Sequence, residues 1–155
     1  MSSKIRVVGA AMASVMLLSV AASPAALGKG RPLKAVLSGD NEVPAVVTEG
    51  SGIAKLRLNQ GKRRVCYKIQ LTDIGDAVAA HIHEGEAGVN GLPVVTLGTP
   101  DATGYVEGCV DDVARPLIKD MRKNRSDYYV NVHTTTYPDG EVRGQLQKMR
   151  PGRNR

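Results

Sequence analysis

The chain has 155 residues, 42% of them hydrophobic and 23% charged, with a net charge of +6, two cysteines, five tyrosines and neither Trp nor Phe. That length suits one domain with a core built from aliphatic residues and a few tyrosines. The positive excess sits at the ends: between Leu33 and Gln147 there are 13 Lys and Arg against 15 Asp and Glu. This count argues against the basic face that a nucleic-acid binder needs, so nucleic acid is not an expected partner.

In chain order, residues 1–26 read as a secretory signal peptide. Lys4 and Arg6 are followed by an apolar run from Val7 to about Ala22, then by small residues at Ala21, Ala22, Ser23, Ala25 and Ala26. The run is short for a membrane-spanning anchor, the rival reading, and Gly9, Ser14 and Ser19 interrupt it. With the signal removed, no transmembrane segment is expected. The expected location is secreted or cell-envelope associated. Residues 27–32 are a linker, residues 33–147 a β-sandwich domain, and residues 148–155 a disordered basic tail that could touch anionic envelope polymers.

Within the body, Leu33–Leu37 alternates weakly and stops at Ser38-Gly39. Gly52–Leu58 and Arg64–Leu71 alternate clearly about the Asn59-Gln60-Gly61-Lys62 turn, which predicts a hairpin. Cys66 then lies on the face opposite Tyr67, where a second layer would meet it. Val78–His83, Leu92–Leu97, Gly104–Val110, Tyr128–His133 and Glu141–Leu146 complete the strands. The one helix is expected within Val113–Asn124, with Pro116 in its first turn and Leu117, Ile118 and Met121 as its buried stripe. Short strands at this spacing predict an all-β Greek-key sandwich or barrel of about 7–8 strands.

The chain's three histidines fall in two of these strands. His81 and His83 flank Ile82 and share a face, about 6.6 Å apart along the strand. His133 ends a strand in which Asn131 lies on its face. Three neutral imidazoles suit copper or zinc. The alternative is a buried polar network in which the rings bond to Asn131, Thr134, Glu84 or the main chain. Arg143 lies among small residues, either open to a ligand or ion-paired with Glu141 or Asp139. Cys66 and Cys109 are expected to form a disulfide, two buried thiols being the other possibility. No nucleophile elbow or phosphate-cradling loop is present.

Three segments carry a resemblance to a known family. Leu37-Ser38-Gly39-Asp40-Asn41-Glu42-Val43-Pro44 resembles the opening motif of chordin (CHRD) domains. His81-Ile82-His83-Glu84-Gly85 with Gly88-Val89-Asn90-Gly91 resembles the central one. Tyr128 to Thr134, with Pro138-Asp139-Gly140-Glu141-Val142-Arg143-Gly144-Gln145-Leu146, resembles the closing one. The resemblance implies export and a β-sandwich. A fainter similarity, to copper–zinc superoxide dismutase, implies copper ligands at His81, His83 and His133 and an arginine near the metal at Arg143. Three histidines admit a single ion and no dinuclear centre. The chain is therefore expected to be a stand-alone extracellular binding or structural module without enzymatic activity, for an unidentified ligand or protein. The alternative is a copper- or zinc-binding protein with Asn131, Arg143 and Glu84 around the site.

Overall fold

The computed structural model describes residues 29–149. The expected signal peptide, the start of the linker and residues 150–155 of the expected tail lie outside the described residues. The strands are β1 Arg31–Ser38, β2 Ser51–Asn59, β3 Arg64–Thr72, β4 Ala77–Glu84, β5 Pro93–Leu97, β6 Tyr105–Val110, β7 Tyr128–Thr134, β8 Val142–Gln145 and β9 Gln147–Lys148; the helix is α1 Arg115–Lys123. All pair antiparallel in one sheet of order β5-β4-β7-β8-β1-β2-β3-β6, with β9 beside β1. The β3–β4 and β6–β7 connections cross over in Greek-key manner. The sheet curls into a nearly closed barrel whose edges, β5 and β6, approach each other. Near that seam the Gly98 N–H donates to the Tyr67 hydroxyl at 2.7 Å.

Alternation explains the barrel. Leu33, Ala35 and Leu37 of β1, Ala54, Leu56 and Leu58 of β2, and Val65, Tyr67, Ile69 and Leu71 of β3 point inward. Ala80 and Ile82 of β4, Val130 and Val132 of β7 and Val142 of β8 meet them from the other side. Each fully buried Leu or Ile removes apolar surface worth about 1.5–3 kcal/mol. The outer positions are thereby free to carry polar groups.

The helix falls where the sequence predicts it, with Pro116 in its first turn and Ile118 and Met121 buried. Leu117 is half-buried against the core. Asp111 and Asp112 do not cap the helix: its N-cap is Ala114, with no side-chain hydrogen bond, while Asp111 pairs with Arg64. The Tyr128 hydroxyl donates to Asp120 at 2.7 Å, tying the helix to β7. Burial and that carboxylate push the Tyr128 phenol well above its usual range.

Cys66 and Cys109 form the disulfide, from directly opposed positions of β3 and β6. Their Cα atoms are 3.9 Å apart, below the usual ~4.4–6.8 Å. The bridge joins neighbours within one sheet. Among the described residues no second sheet faces Cys66, whose side chain lies on the outside of the barrel beside Lys68.

Candidate functional site

The outer face of β4, β7 and β8 carries the histidines. His81 lies opposite Asn131, and Asn131 opposite Arg143; His83 lies opposite Tyr129, and Tyr129 opposite Gln145; His133 lies opposite Ala79. Period two therefore places His81, His83, Tyr129, Asn131, His133, Arg143 and Gln145 on one surface. The ring centroids are 5.1 Å apart for His81 and His133, 5.5 Å for His81 and His83 and 5.8 Å for His83 and His133. One ring nitrogen of each lies within 4.8 Å of the other two.

The orientation of two rings is fixed by main-chain carbonyls. His83 Nδ1 is 2.9 Å from the Gly91 carbonyl oxygen and His133 Nδ1 is 2.9 Å from that of Pro138. A carbonyl only accepts, so each Nδ1 carries a proton, and in the neutral form of either ring the lone pair is then on Nε2. Both Nε2 atoms are buried and have no hydrogen-bond partner. Burial, and then the neighbouring His133 and His83, lower the pKa of His81; burial lowers that of His83, with His133 and the Arg143 guanidinium adding to it against the Gly91 hydrogen bond. Neutral rings with free nitrogen lone pairs are the form that ligates a metal.

The Gly91 carbonyl is itself held. The Tyr129 hydroxyl accepts from the Gly91 N–H at 3.1 Å and donates to its carbonyl at 3.4 Å. Tyr129 stacks on His83 with centroids 4.9 Å apart, and the Arg143 guanidinium lies 4.0 Å from the Tyr129 ring centroid. Arg143 is 1% exposed. It donates to Asn90 Oδ1 at 2.9 Å and to the Val89 carbonyl at 3.1 Å, and Asn90 donates to the Val43 carbonyl at 2.7 Å. The glycine-rich loop of residues 85–92 is thus clasped against the loop that follows β1. A cleft of ≈ 400 Å³ beside the clasp is lined by Asp40, Glu42, Arg143 and Gln145 among others.

The predicted neighbours divide. Asn131 is buried beside His81 and donates to the Asp139 carbonyl at 3.4 Å. Arg143 is on the face but makes neither expected ion pair. Glu141 instead accepts from Thr48 and Thr134, at 2.8 Å each, and from the Gly75 N–H at 3.3 Å. Glu84 is exposed at the end of β4 and is not brought to the cluster. Next to His83 in a strand, it takes the opposite face. Sequence reasoning missed Tyr129, which the same alternation places beside Asn131. It also missed Glu42, 7% exposed, whose Oε1 is buried without a partner; its carboxyl is raised to about 7 by burial, against the pull of Arg143.

A family model described as the CHRD domain matches residues 33–146. No curated protein matches the chain.

Proposed function

The chain belongs to the CHRD-domain family, and on that premise we propose that it is a non-enzymatic extracellular binding module whose ligand is a single copper or zinc ion held by His81, His83 and His133. The observation that carries this reading is the pair of buried, unpartnered Nε2 atoms on His83 and His133. A purely structural network would use those lone pairs, because leaving a buried acceptor unpaired costs about 1–3 kcal/mol each. The tautomers point the same way: ligating histidines characteristically donate the other ring N–H to a carbonyl or carboxylate.

The ligand nitrogens stand within 4.8 Å, whereas donors around an ion bound at ~2.1 Å are roughly 3.4 Å apart. Side-chain rotations that close the cluster by just over an ångström would therefore accompany binding. Three neutral nitrogens with a guanidinium nearby suit a low positive charge. Cu(I), or zinc with an anionic fourth ligand, fits that balance better than a bare divalent ion. The disulfide and the family are consistent with an extracellular location, and export by a signal peptide at residues 1–26 belongs to the proposal.

The test is calorimetric titration of Zn²⁺ and, under anaerobic conditions, Cu⁺ into tag-free protein. His81→Ala is the informative variant, because His81 is only half-buried and its loss leaves the clasped loop intact. One ion per chain and a loss of about 100-fold or more in affinity in His81→Ala and His133→Ala are expected. Equal uptake by wild type and variants, or none by wild type, overturns the reading.

A further inference from the structure

On the other side of the barrel, β1, β2 and β3 contain Arg31, Lys34, Lys55, Arg57, Arg64 and Lys68 and no acidic residue. The strand register aligns three of them: Lys34 lies directly opposite Lys55, and Lys55 directly opposite Lys68. All three take outward positions, alternating with the buried Leu33, Ala35, Ala54, Leu56, Tyr67 and Ile69. Neighbouring strands are ~4.8 Å apart, so the three ammonium stems form a row about 10 Å long across the sheet. Arg57, one outward step from Lys55, lies opposite Pro32 and Cys66 and widens the row. Among the described residues, only Arg64 and Lys68 of the six lie within ion-pair range of an acid, Asp111 and Glu107 respectively.

Like charges directly opposite one another in a sheet are destabilising. The fold carries this cost twice in one row, on a body whose acidic residues outnumber its basic ones. A bound polyanion would remove the cost. From this arrangement we infer that the outward face of β1, β2 and β3 is a docking surface for a linear anionic polysaccharide. A single file of cations matches a linear array of carboxylates or sulfates. The next outward row pairs Val36 with Ile53, 47% and 45% exposed, and offers a shallow apolar strip to the C–H faces of sugar rings. Single-stranded nucleic acid would ask for open aromatic faces on which to stack bases; Tyr105, at the end of that row, has Lys68 over its ring at 5.0 Å. An anionic membrane would ask for apolar groups that project, whereas Val36 and Ile53 lie in the sheet between the lysine row and the uncharged row of Ser38, Ser51 and Thr72.

The experiment uses the full chain and four probes: polygalacturonate, dextran sulfate, a single-stranded DNA oligonucleotide and phosphatidylglycerol vesicles. Uncharged dextran is the blank. Binding to one or both acidic polysaccharides is expected, weakening as salt rises. The Lys34→Gln/Lys55→Gln/Lys68→Gln variant should lose about tenfold or more, because each neutralised contact releases fewer counterions. A Lys119→Gln/Lys123→Gln control on the exposed side of α1 should bind as wild type does. The same triple variant should melt at a higher temperature than wild type, since its opposed charges are gone. Four results overturn the proposal: undiminished binding by the triple variant, tighter binding to the oligonucleotide or to the vesicles than to either polysaccharide, binding lost only on deleting residues 149–155, and no binding to any probe. Metal titration is unaffected by these substitutions, so the two proposals fail separately.

Discussion

At the scale of single residues, Arg143 is the side chain on which the histidine face turns. Its guanidinium holds Asn90 and the Val89 carbonyl, one residue from the Gly91 carbonyl that faces the His83 Nδ1–H. Gly91 has no room for a substitute, because a Cβ there would stand 1.5 Å from the Glu84 carbonyl oxygen. Arg143→Met keeps most of the packing on Tyr129 and removes both hydrogen bonds. It should weaken copper or zinc binding by about 10–100-fold, the usual effect of removing support behind a ligand, and lower stability by about 2 kcal/mol. Titration beside urea unfolding separates the two: a stability loss with unchanged affinity would show that Arg143 braces the loop without setting the ligand. The ligand candidates themselves were legible, because strand alternation puts His81 with His83 and Asn131 with His133. Their supports were not, since the Gly91 and Pro138 carbonyls are main-chain groups that any residue carries. Only the path of two loops brings them to the rings.

At the scale of elements, alternation predicts the strands well wherever one face is buried, as in β2 and β3. It fails at the closing segment, expected as one strand from Glu141 to Leu146. There β8 stops at Gln145 and β9 resumes at Gln147 on the other side of the buried Leu146. Cys66 illustrates a second limit: two faces follow from period two, but what covers the outer one depends on sheet closure. The disulfide fastens β3 to β6, which is an edge of the sheet and lacks a hydrogen-bonded strand on its far side. With a sequence separation of 43, closing that loop in the unfolded chain is worth about 4 kcal/mol in the chain-entropy account. The Cys66→Ser/Cys109→Ser variant should therefore lose about 3–4 kcal/mol in guanidinium unfolding while leaving the histidine face, built on β4, β7 and β8, able to bind metal. A loss under about 1 kcal/mol would mean that the β3–β6 ladder and the Tyr67 contact to Gly98 hold the edge without it.

At the scale of the whole molecule, charge is segregated in a way no count can express. The body's excess of acids over bases argued against a basic face, yet register stacks the cations of three strands on one side. The opposite side gathers the histidines, Arg143 and, from the loop after β1, Glu42. That carboxyl sits close to Asn131 and Gly140: its Oε1 would be 2.8 Å from a Cβ on Gly140. It thereby lies where the first loop of the barrel meets the last. Its pKa is about 7 in the folded chain against 4.5 for the free side chain, because burial opposes ionisation more than Arg143 assists it. Below pH 4.5 both states hold the proton and Glu42 takes nothing from stability. Between about pH 4.5 and 7 the unfolded chain gives the proton up while the folded one retains it, so this contribution falls as pH rises, and above 7 it is level. His81 and His83, lowered by burial, act in the other direction, favouring the fold as pH rises through the imidazole range. The difference between wild type and Glu42→Gln isolates the carboxyl from them. Urea unfolding at pH 4.5, 6, 7 and 8 should find the two proteins close at the acid end and Glu42→Gln more stable by about 3 kcal/mol at pH 8. Parallel curves would mean that the Glu42 carboxylate is already ionised in the fold at pH 6, with Arg143 outweighing its burial.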